Sequence, residues 1–362
     1  MRALVYILAA AGILTGALLA GGLVTGPDSA GAPEIAAVAS ESDSKVVGVD
    51  TGSTVAAATL GVTVTSTTAE TGLADIEDGA TGSATVTFDS VDEVQLDGRW
   101  GVNRINTIAA WQAANSFVPV LVAVLDTGID SDAGFGDRVE AVMDFTGSGN
   151  TDDEHGHGTH MAGTIAAIAP NASFINLKVA DERGRCDSST VARAIRWAAD
   201  RGAQVINVSL EVESSPELES AIRHAWQKGA VVIAAAGNHG TTAPAYPAAY
   251  TDAIAVAGTN EKDGLAVLSN HGDWVDVAAP GSKIYAELPG GEYGYETGTS
   301  PAAAHVSGIA ALLCGIAADE SGNGFVNDEV RAAIEDSCEP LAVSGTGNGL
   351  VNALSAMQVL AA

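Results

Sequence analysis

Five short, mainly apolar runs constrain this chain more than any other feature: residues 118–125, 174–179, 205–210, 231–236 and 254–257. A strand with one wet face alternates polar and apolar residues. The runs at 118–125, 231–236 and 254–257 hold no polar residue, and continuous apolarity of this kind suits strands covered on both faces. Between them, residues 190–201 and 216–228 show the 3.6-residue spacing of amphipathic helices, and each ends near a glycine, Gly202 or Gly229. Strand alternating with helix predicts an α/β fold, with a mostly parallel sheet and helices on both faces. Ligand sites in such sheets sit at the carboxyl ends of the strands.

The chain has 362 residues, enough for one or two domains, and its 47% hydrophobic content excludes a disordered chain. Its 45 acids outweigh 16 bases, for a net charge of −29. Such a surface repels nucleic acid and anionic membrane, so neither is expected as a partner. It suits either an ordinary solvated surface or one adapted to high salt. Three cysteines are too few for a disulfide scaffold. Cys314 and Cys338 pairing beside a lone Cys186, or three free thiols, are both open.

At the N-terminus, Arg2 precedes an uncharged stretch over residues 3–27 whose core, 4–24, holds 21 apolar or small residues. It reads as a signal peptide with a cleavage site near Ala30-Gly31-Ala32, or as an uncleaved anchor, and only in the second case would a membrane be a partner. Either way the rest of the chain is expected outside the cell. Residues 33–98 form a second block with 12 acids and one base. Alternating runs at 62–65 and 84–88 within it look like strands. The division is therefore 1–32 leader, 33–98 acidic block and 99–362 main domain.

Three segments at element boundaries carry chemistry. Asp126 ends the first apolar run, in Val124-Leu125-Asp126-Thr127-Gly128. His157 lies in His155-Gly156-His157-Gly158-Thr159-His160, ahead of small residues that allow close helix packing. The spacing of these histidines puts no pair on one helical face and lacks a zincin carboxylate, which argues against zinc. Ser300 stands in Gly298-Thr299-Ser300-Pro301, with a proline suited to a first helical turn. A serine there is either a helix cap or a nucleophile at the positive end of the helix dipole. A serine hydroxyl needs a base to become nucleophilic, and the base needs an acid to fix its tautomer. The order Asp, His, Ser supplies all three. Asn238, in Ala236-Gly237-Asn238-His239, follows another strand end and offers an amide donor to an oxyanion.

Together these segments resemble the subtilisin-like serine proteases, or subtilases, from about Trp100 to the C-terminus. Tyr246-Pro247-Ala248, Asp276-Val277-Ala278-Ala279-Pro280-Gly281 and Gly347-Asn348-Gly349-Leu350-Val351-Asn352 also resemble family segments, in family order. The resemblance implies a three-layer subtilisin-like fold and a secreted, monomeric endopeptidase acting on polypeptides. Asp126 would orient, His157 act as base and then acid, and Ser300 attack, with Asn238 holding the oxyanion. Backbone near Gly184, Arg185, Ser209, Leu210, Glu211, Ala236 and Gly237 would bind an extended substrate. The 33–98 block would be a propeptide, an intramolecular inhibitor removed by self-cleavage near Gly98. The alternative is a solvated acidic linker.

The match departs in places. Pro301 replaces the methionine usual after the nucleophile, so no thioether there can oxidise. Ala304 replaces a usual proline. Glu211 replaces a glycine at the cleft rim, where a carboxylate would select basic substrate side chains or simply narrow the site. The loop that many relatives use for tight calcium binding is missing from residues 164–170. No cofactor is needed for the chemistry. A weak calcium or sodium site at Ala248, Tyr250 and Asp276 remains an expectation. Residues 319–324 superficially resemble a calcium loop, but its twelfth position is Val330.

Two other classes compete. Asp50-Thr51-Gly52 and Asp126-Thr127-Gly128 suggest an aspartic protease, yet they lie only 76 residues apart, too close for two lobes. A catalytically weak surface or binding protein on the subtilase fold is the other.

Overall fold

Each of the five apolar runs becomes a strand of one sheet. The structure is a computed structural model. It describes residues 99–114 and 116–361, and the backbone of three short strands, Thr54–Ala57 (β1), Val62–Thr65 (β2) and Thr85–Thr87 (β3). These three pair antiparallel in the order β1-β2-β3, so the runs at 62–65 and 84–88 do form strands. The leader and the rest of the acidic block lie outside the described residues, as does Asp50. Among the described residues no helix is long and apolar enough to cross a membrane.

From Trp100 onward the elements are α1 (Trp100–Arg104), α2 (Thr107–Ala113), β4 (Val120–Asp126), β5 (Val139–Asp144), α3 (His157–Ile168), β6 (Ala172–Lys178), α4 (Ser188–Asp200), β7 (Val205–Val208), α5 (Pro216–Gln227), β8 (Val231–Ala235) and β9 (Ala253–Thr259). There follow β10 (Val277–Pro280), the hairpin β11 (Ile284–Leu288) and β12 (Glu292–Glu296), then α6 (Thr299–Cys314), α7 (Asn327–Asp336) and α8 (Ala353–Leu360). The main sheet has seven strands in the order β10-β9-β8-β7-β4-β6-β5, every pair parallel. The chain leaves β4 toward β5 and β6, then crosses back to β7 on the other side. The carboxyl end of β4 is thus a switch point, where an open α/β sheet leaves a crevice.

Period-two alternation sorts each apolar run between two cores. Val122 and Val124 pack into the core beneath α3 and α6, whereas Ala123 and Leu125 pack into the one beneath α4 and α5. Burying one such aliphatic side chain stabilises by about 1.5–3 kcal/mol. The two covering helices on the second side begin with built caps. Asp187 accepts from the Thr190 amide at 2.9 Å. Ser215 accepts from the Leu218 amide at 3.2 Å, with Pro216 in the first helical position. The sequence did not announce β5, a half-exposed edge strand, nor the β11–β12 hairpin.

α6 is buried over all 16 of its residues, which suits a helix that is apolar all round. It packs on α3 through Gly308, where an added Cβ would lie 2.7 Å from Cβ of Ile168. At the start of α3, Gly158 is pressed still closer: a Cβ there would meet the Gly128 carbonyl oxygen at 2.1 Å. This approach brings the first residue of α3 against the end of β4. Asp153, 4% exposed, anchors the same helix start. Its Oδ1 accepts from the Thr127 hydroxyl and from the His155 and Gly156 amides at 2.8, 3.0 and 2.7 Å. Its Oδ2 accepts from the Thr159 amide and hydroxyl at 2.8 and 2.7 Å. The buried ammonium of Lys178, at the end of β6, ties the Thr127 and Asp152 carbonyls together from below.

Cys186, Cys314 and Cys338 are all free thiols, so no Cys314–Cys338 pair forms. Asp319 satisfies its carboxylate within its own loop, accepting from the Gly322, Asn323 and Gly324 amides.

These contacts give two stability predictions, both read by denaturant unfolding. Gly308→Ala should cost about 1–3 kcal/mol through overpacking. An unchanged midpoint would show that α3 and α6 can separate freely. Asp153→Asn leaves one acceptor oxygen where two served five donors, and should cost about 3 kcal/mol. A loss below a few tenths of a kcal/mol would mean that the helix start does not depend on it.

Candidate active site

Three loops leave the carboxyl ends of β4, β7 and β8 side by side and open into one cleft of about 370 Å³. Asp126 closes β4 and is wholly buried. Its Oδ1 accepts from the Thr127 amide at 2.8 Å and faces His157 Nδ1 at 2.7 Å. A carboxylate only accepts, so Nδ1 carries the hydrogen and Nε2 is left facing the cleft. His157 is the first residue of α3. Burial alone would lower its pKa, but the carboxylates of Asp126 and Glu296 outweigh burial and raise it.

Ser300 lies in the first turn of α6, 8% exposed. Its hydroxyl donates to the Ser209 carbonyl at 3.1 Å, and the Ser209 hydroxyl donates back to the Ser300 carbonyl at 3.2 Å. Asn238 follows β8, and its Oδ1 accepts from the Thr299 amide at 2.8 Å and the Thr299 hydroxyl at 3.2 Å. A backbone N–H can only donate, so this contact fixes the orientation of the side-chain amide and frees Nδ2 as a donor. The first-turn N–H groups of α6 have no intrahelical acceptor and sit at the positive end of its dipole. The structure thus brings Asp126, His157, Ser300 and Asn238 to one cleft from four separate elements.

The remaining residues named from sequence fall out less uniformly. Gly184, Ser209, Leu210, Glu211 and Gly237 line the cleft. The side chain of Arg185 turns away to Asp181, at 2.7 Å, and Arg183 takes its place at the rim. Ala236 is fully buried behind the wall, and Ala235 lines it instead. Glu211 Oε2 lies 3.1 Å from His239 Nε2, and both groups are exposed. The histidines of the 155–160 segment do not converge. His155 and His157 stand edge to face with centroids 6.2 Å apart, and His160 Nε2 donates to the Ile284 carbonyl at 3.0 Å.

At the expected cation site, Asp276 accepts from the Ala255 amide at 2.7 Å and faces Arg331 Nη2 at 3.4 Å. The same guanidinium donates to the Thr251 carbonyl at 2.7 Å. Ala248 is buried, and the Tyr250 hydroxyl is engaged by Ser215. A metal ion would have to share Asp276 with a side-chain cation already there.

Sequence reasoning missed Asp153, Lys178 and Glu296. The first two are ordinary loop and strand residues until the fold buries them. Glu296 is four residues before Ser300, but its role depends on a hairpin whose register the sequence does not announce.

Residues 119–353 match the Subtilase family. Thermitase from Thermoactinomyces vulgaris is 39% identical over 275 residues, covering 72% of this chain and 96% of that protein. Subtilisin BL from Lederbergia lenta is 36% identical over 268 residues, covering 71% of this chain and 97% of that protein. A crystal structure of a lanthipeptide protease superposes with a TM-score of 0.66 at 23% identity, covering 72% of this chain and 95% of that one, a likeness of fold. The parallel sheet, the cleft at its carboxyl edge and these matches lead to one conclusion: the chain belongs to the subtilase family and is a subtilisin-like serine endopeptidase.

Proposed function

We propose that this protein is exported and cuts polypeptides through an acyl-enzyme formed on Ser300. We propose further that it matures by cutting itself near Gly98. The observation that carries the reading is the 2.7 Å contact between buried Asp126 and His157, opening onto the cleft that holds Ser300.

In this mechanism Asp126 holds the Nδ1 hydrogen of His157, leaving Nε2 as base. The Ser300 hydroxyl leaves the Ser209 carbonyl and gives its proton to Nε2 as Oγ attacks the scissile carbonyl. The developing oxyanion takes hydrogen bonds from Asn238 Nδ2 and the Ser300 amide. Loss of a side-chain donor of this kind costs roughly 100- to 1,000-fold in rate. The imidazolium then protonates the departing amine, and water repeats the sequence in reverse on the ester. Members of the family need no cofactor for this chemistry. The substrate lies extended and pairs with backbone near Gly184 and Ser209–Leu210. The protein acts as a monomer, and the 33–98 block occupies the cleft until it is cut.

Wild type and Ser300→Ala should be compared for self-cleavage near Gly98 and for hydrolysis of casein. The variant should stay full length and lose on the order of a millionfold in turnover, the loss known for the same change in subtilisin itself rather than one derived from this geometry. If folded wild type is equally inert, the enzyme reading gives way to a binding protein on the same fold.

Glu211 lies beside Gly237 at the acyl side of the cleft, and its carboxylate favours arginine or lysine before the cut bond. Glu211→Gln should narrow the preference for Arg over Leu peptides on the order of tenfold, the worth of one charge-assisted contact. Equal rates for both peptides in wild type would assign Glu211 to narrowing the site instead.

A further inference from the structure

The β11–β12 hairpin brings one more charge into the cleft. Its register pairs Ile284 with Glu296, Ala286 with Gly294 and Leu288 with Glu292. Strand alternation therefore puts Glu296 on the face of Ile284, Ala286 and Leu288, the buried face of the hairpin. Tyr285, Tyr293 and Tyr295 stack on the other face, with Tyr285 5.5 and 4.9 Å from the two others. Glu296 Oε2 ends 3.9 Å from His157 Nε2 and 4.0 Å from His160 Nδ1, its side chain 16% exposed.

Both distances exceed a hydrogen bond, and among the described residues the Glu296 carboxylate accepts none. A carboxylate this secluded is costly unless a cation meets it. His160 is not that cation. It spends its Nε2 hydrogen on the Ile284 carbonyl, so Nδ1 presents a lone pair to Glu296, and burial pushes its pKa down to about 3. His157 is a partner only while protonated. The carboxylate nevertheless lines the open cleft beside Thr297 and Ser300.

Its position in the cleft follows from chemistry. His157 Nε2 is the nitrogen that hands a proton to the departing amine, which must come within about 3 Å of it. A carboxylate 3.9 Å from that same nitrogen lies within a side chain's length of the residue carrying the amine. The oxyanion donor Asn238 and Glu211 belong to the opposite, acyl side.

We propose that Glu296 determines specificity on the leaving-group side, selecting substrates with arginine or lysine immediately after the cut bond. The inference rests on the proteolytic reading and adds a second acidic subsite to that of Glu211. It has a consequence for pH. The titratable groups around Glu296 are His157 and the neutral His160 from α3, Asp126 from β4, and Asp153 from the loop before α3, with His155 beside His157. Burial raises the Glu296 pKa, and its charge, after that of Asp126, helps raise that of His157. A raised imidazole pKa keeps the base protonated to higher pH. The acid limb of kcat/KM therefore lies on the alkaline side of the ordinary value of about 6.5. A substrate cation on Glu296 neutralises part of that field, so the limb of kcat falls below that of kcat/KM for basic substrates.

The test uses full-length protein allowed to mature, with peptides that differ only in the residue after the cut bond: Arg, Leu or Glu. Wild type should favour Arg over Leu on the order of tenfold or more, and disfavour Glu. Glu296→Gln should bring the Arg-to-Leu ratio toward one and move the kcat/KM limb to lower pH. Glu296→Asp, which keeps the charge, should recover both in part and controls for folding. The same ratio in wild type and Glu296→Gln, or no preference for Arg in wild type, overturns the proposal while the protease reading stands. If wild type cuts none of the peptides nor casein, the protease reading falls and this inference with it.

Discussion

The buried contact between Asp126 and His157 sets conditions that much of the molecule is built to meet. One partner closes a central strand and the other opens a helix packed beneath the sheet, so the contact forms only if strand end and helix start nearly touch. Gly158 permits that approach, because any side chain there would strike the Gly128 carbonyl. Asp153 holds the helix start by accepting donors that the helix itself cannot satisfy. Lys178 ties the adjoining loop residues Thr127 and Asp152. Apart from Asp126 Oδ2, which has no hydrogen-bond partner among the described residues, the buried polar groups here satisfy one another, and such a network is sensitive to loss of any member.

Charge is distributed unevenly around this frame. The chain as a whole is acidic, with net charge −29, but most of that charge is solvated and screened within about 10 Å. The carboxylates in and beneath the cleft act differently because burial removes the screening. Asp126 faces one nitrogen of His157 and Glu296 stands near the other. Both favour the imidazolium, while Glu211 lies at the far side of the cleft beside His239. The cleft thus holds carboxyl groups on both sides of Ser300, Glu211 on one and Glu296 on the other.

The sequence made much of this visible, for identifiable reasons. Runs such as 118–125 and 231–236 could be read as buried strands because continuous apolarity leaves no wet face. Asp126, Asn238 and Ser300 were legible because each sits at a boundary between an apolar run and a turn, where α/β sheets keep their sites. Other features were silent. Strand β5 is half exposed and lacks the apolar run that marks its neighbours. Arg185 read as backbone of the substrate edge, a reading to which the pairing of its side chain with Asp181 adds nothing either way. Ala236 read as a substrate-binding residue; its side chain is buried, and Ala235 lines the cleft. Asp276 read as a cation ligand, but Arg331, 55 residues later in the chain, brings its own cation there.

The sequence by itself determined the α/β class, the five strands of its apolar runs with the helices between them, and the residue types able to perform acyl transfer, because each is encoded locally in periodicity and boundary residues. Only the tertiary structure decided which groups meet. Glu296 reaches His157 because a hairpin register and strand alternation turn it inward, and the Asn238 amide points Nδ2 at the cleft because the Thr299 N–H claims its oxygen. Those outcomes depend on distances between segments far apart in the chain, and distance of that kind is fixed by packing rather than by any local pattern.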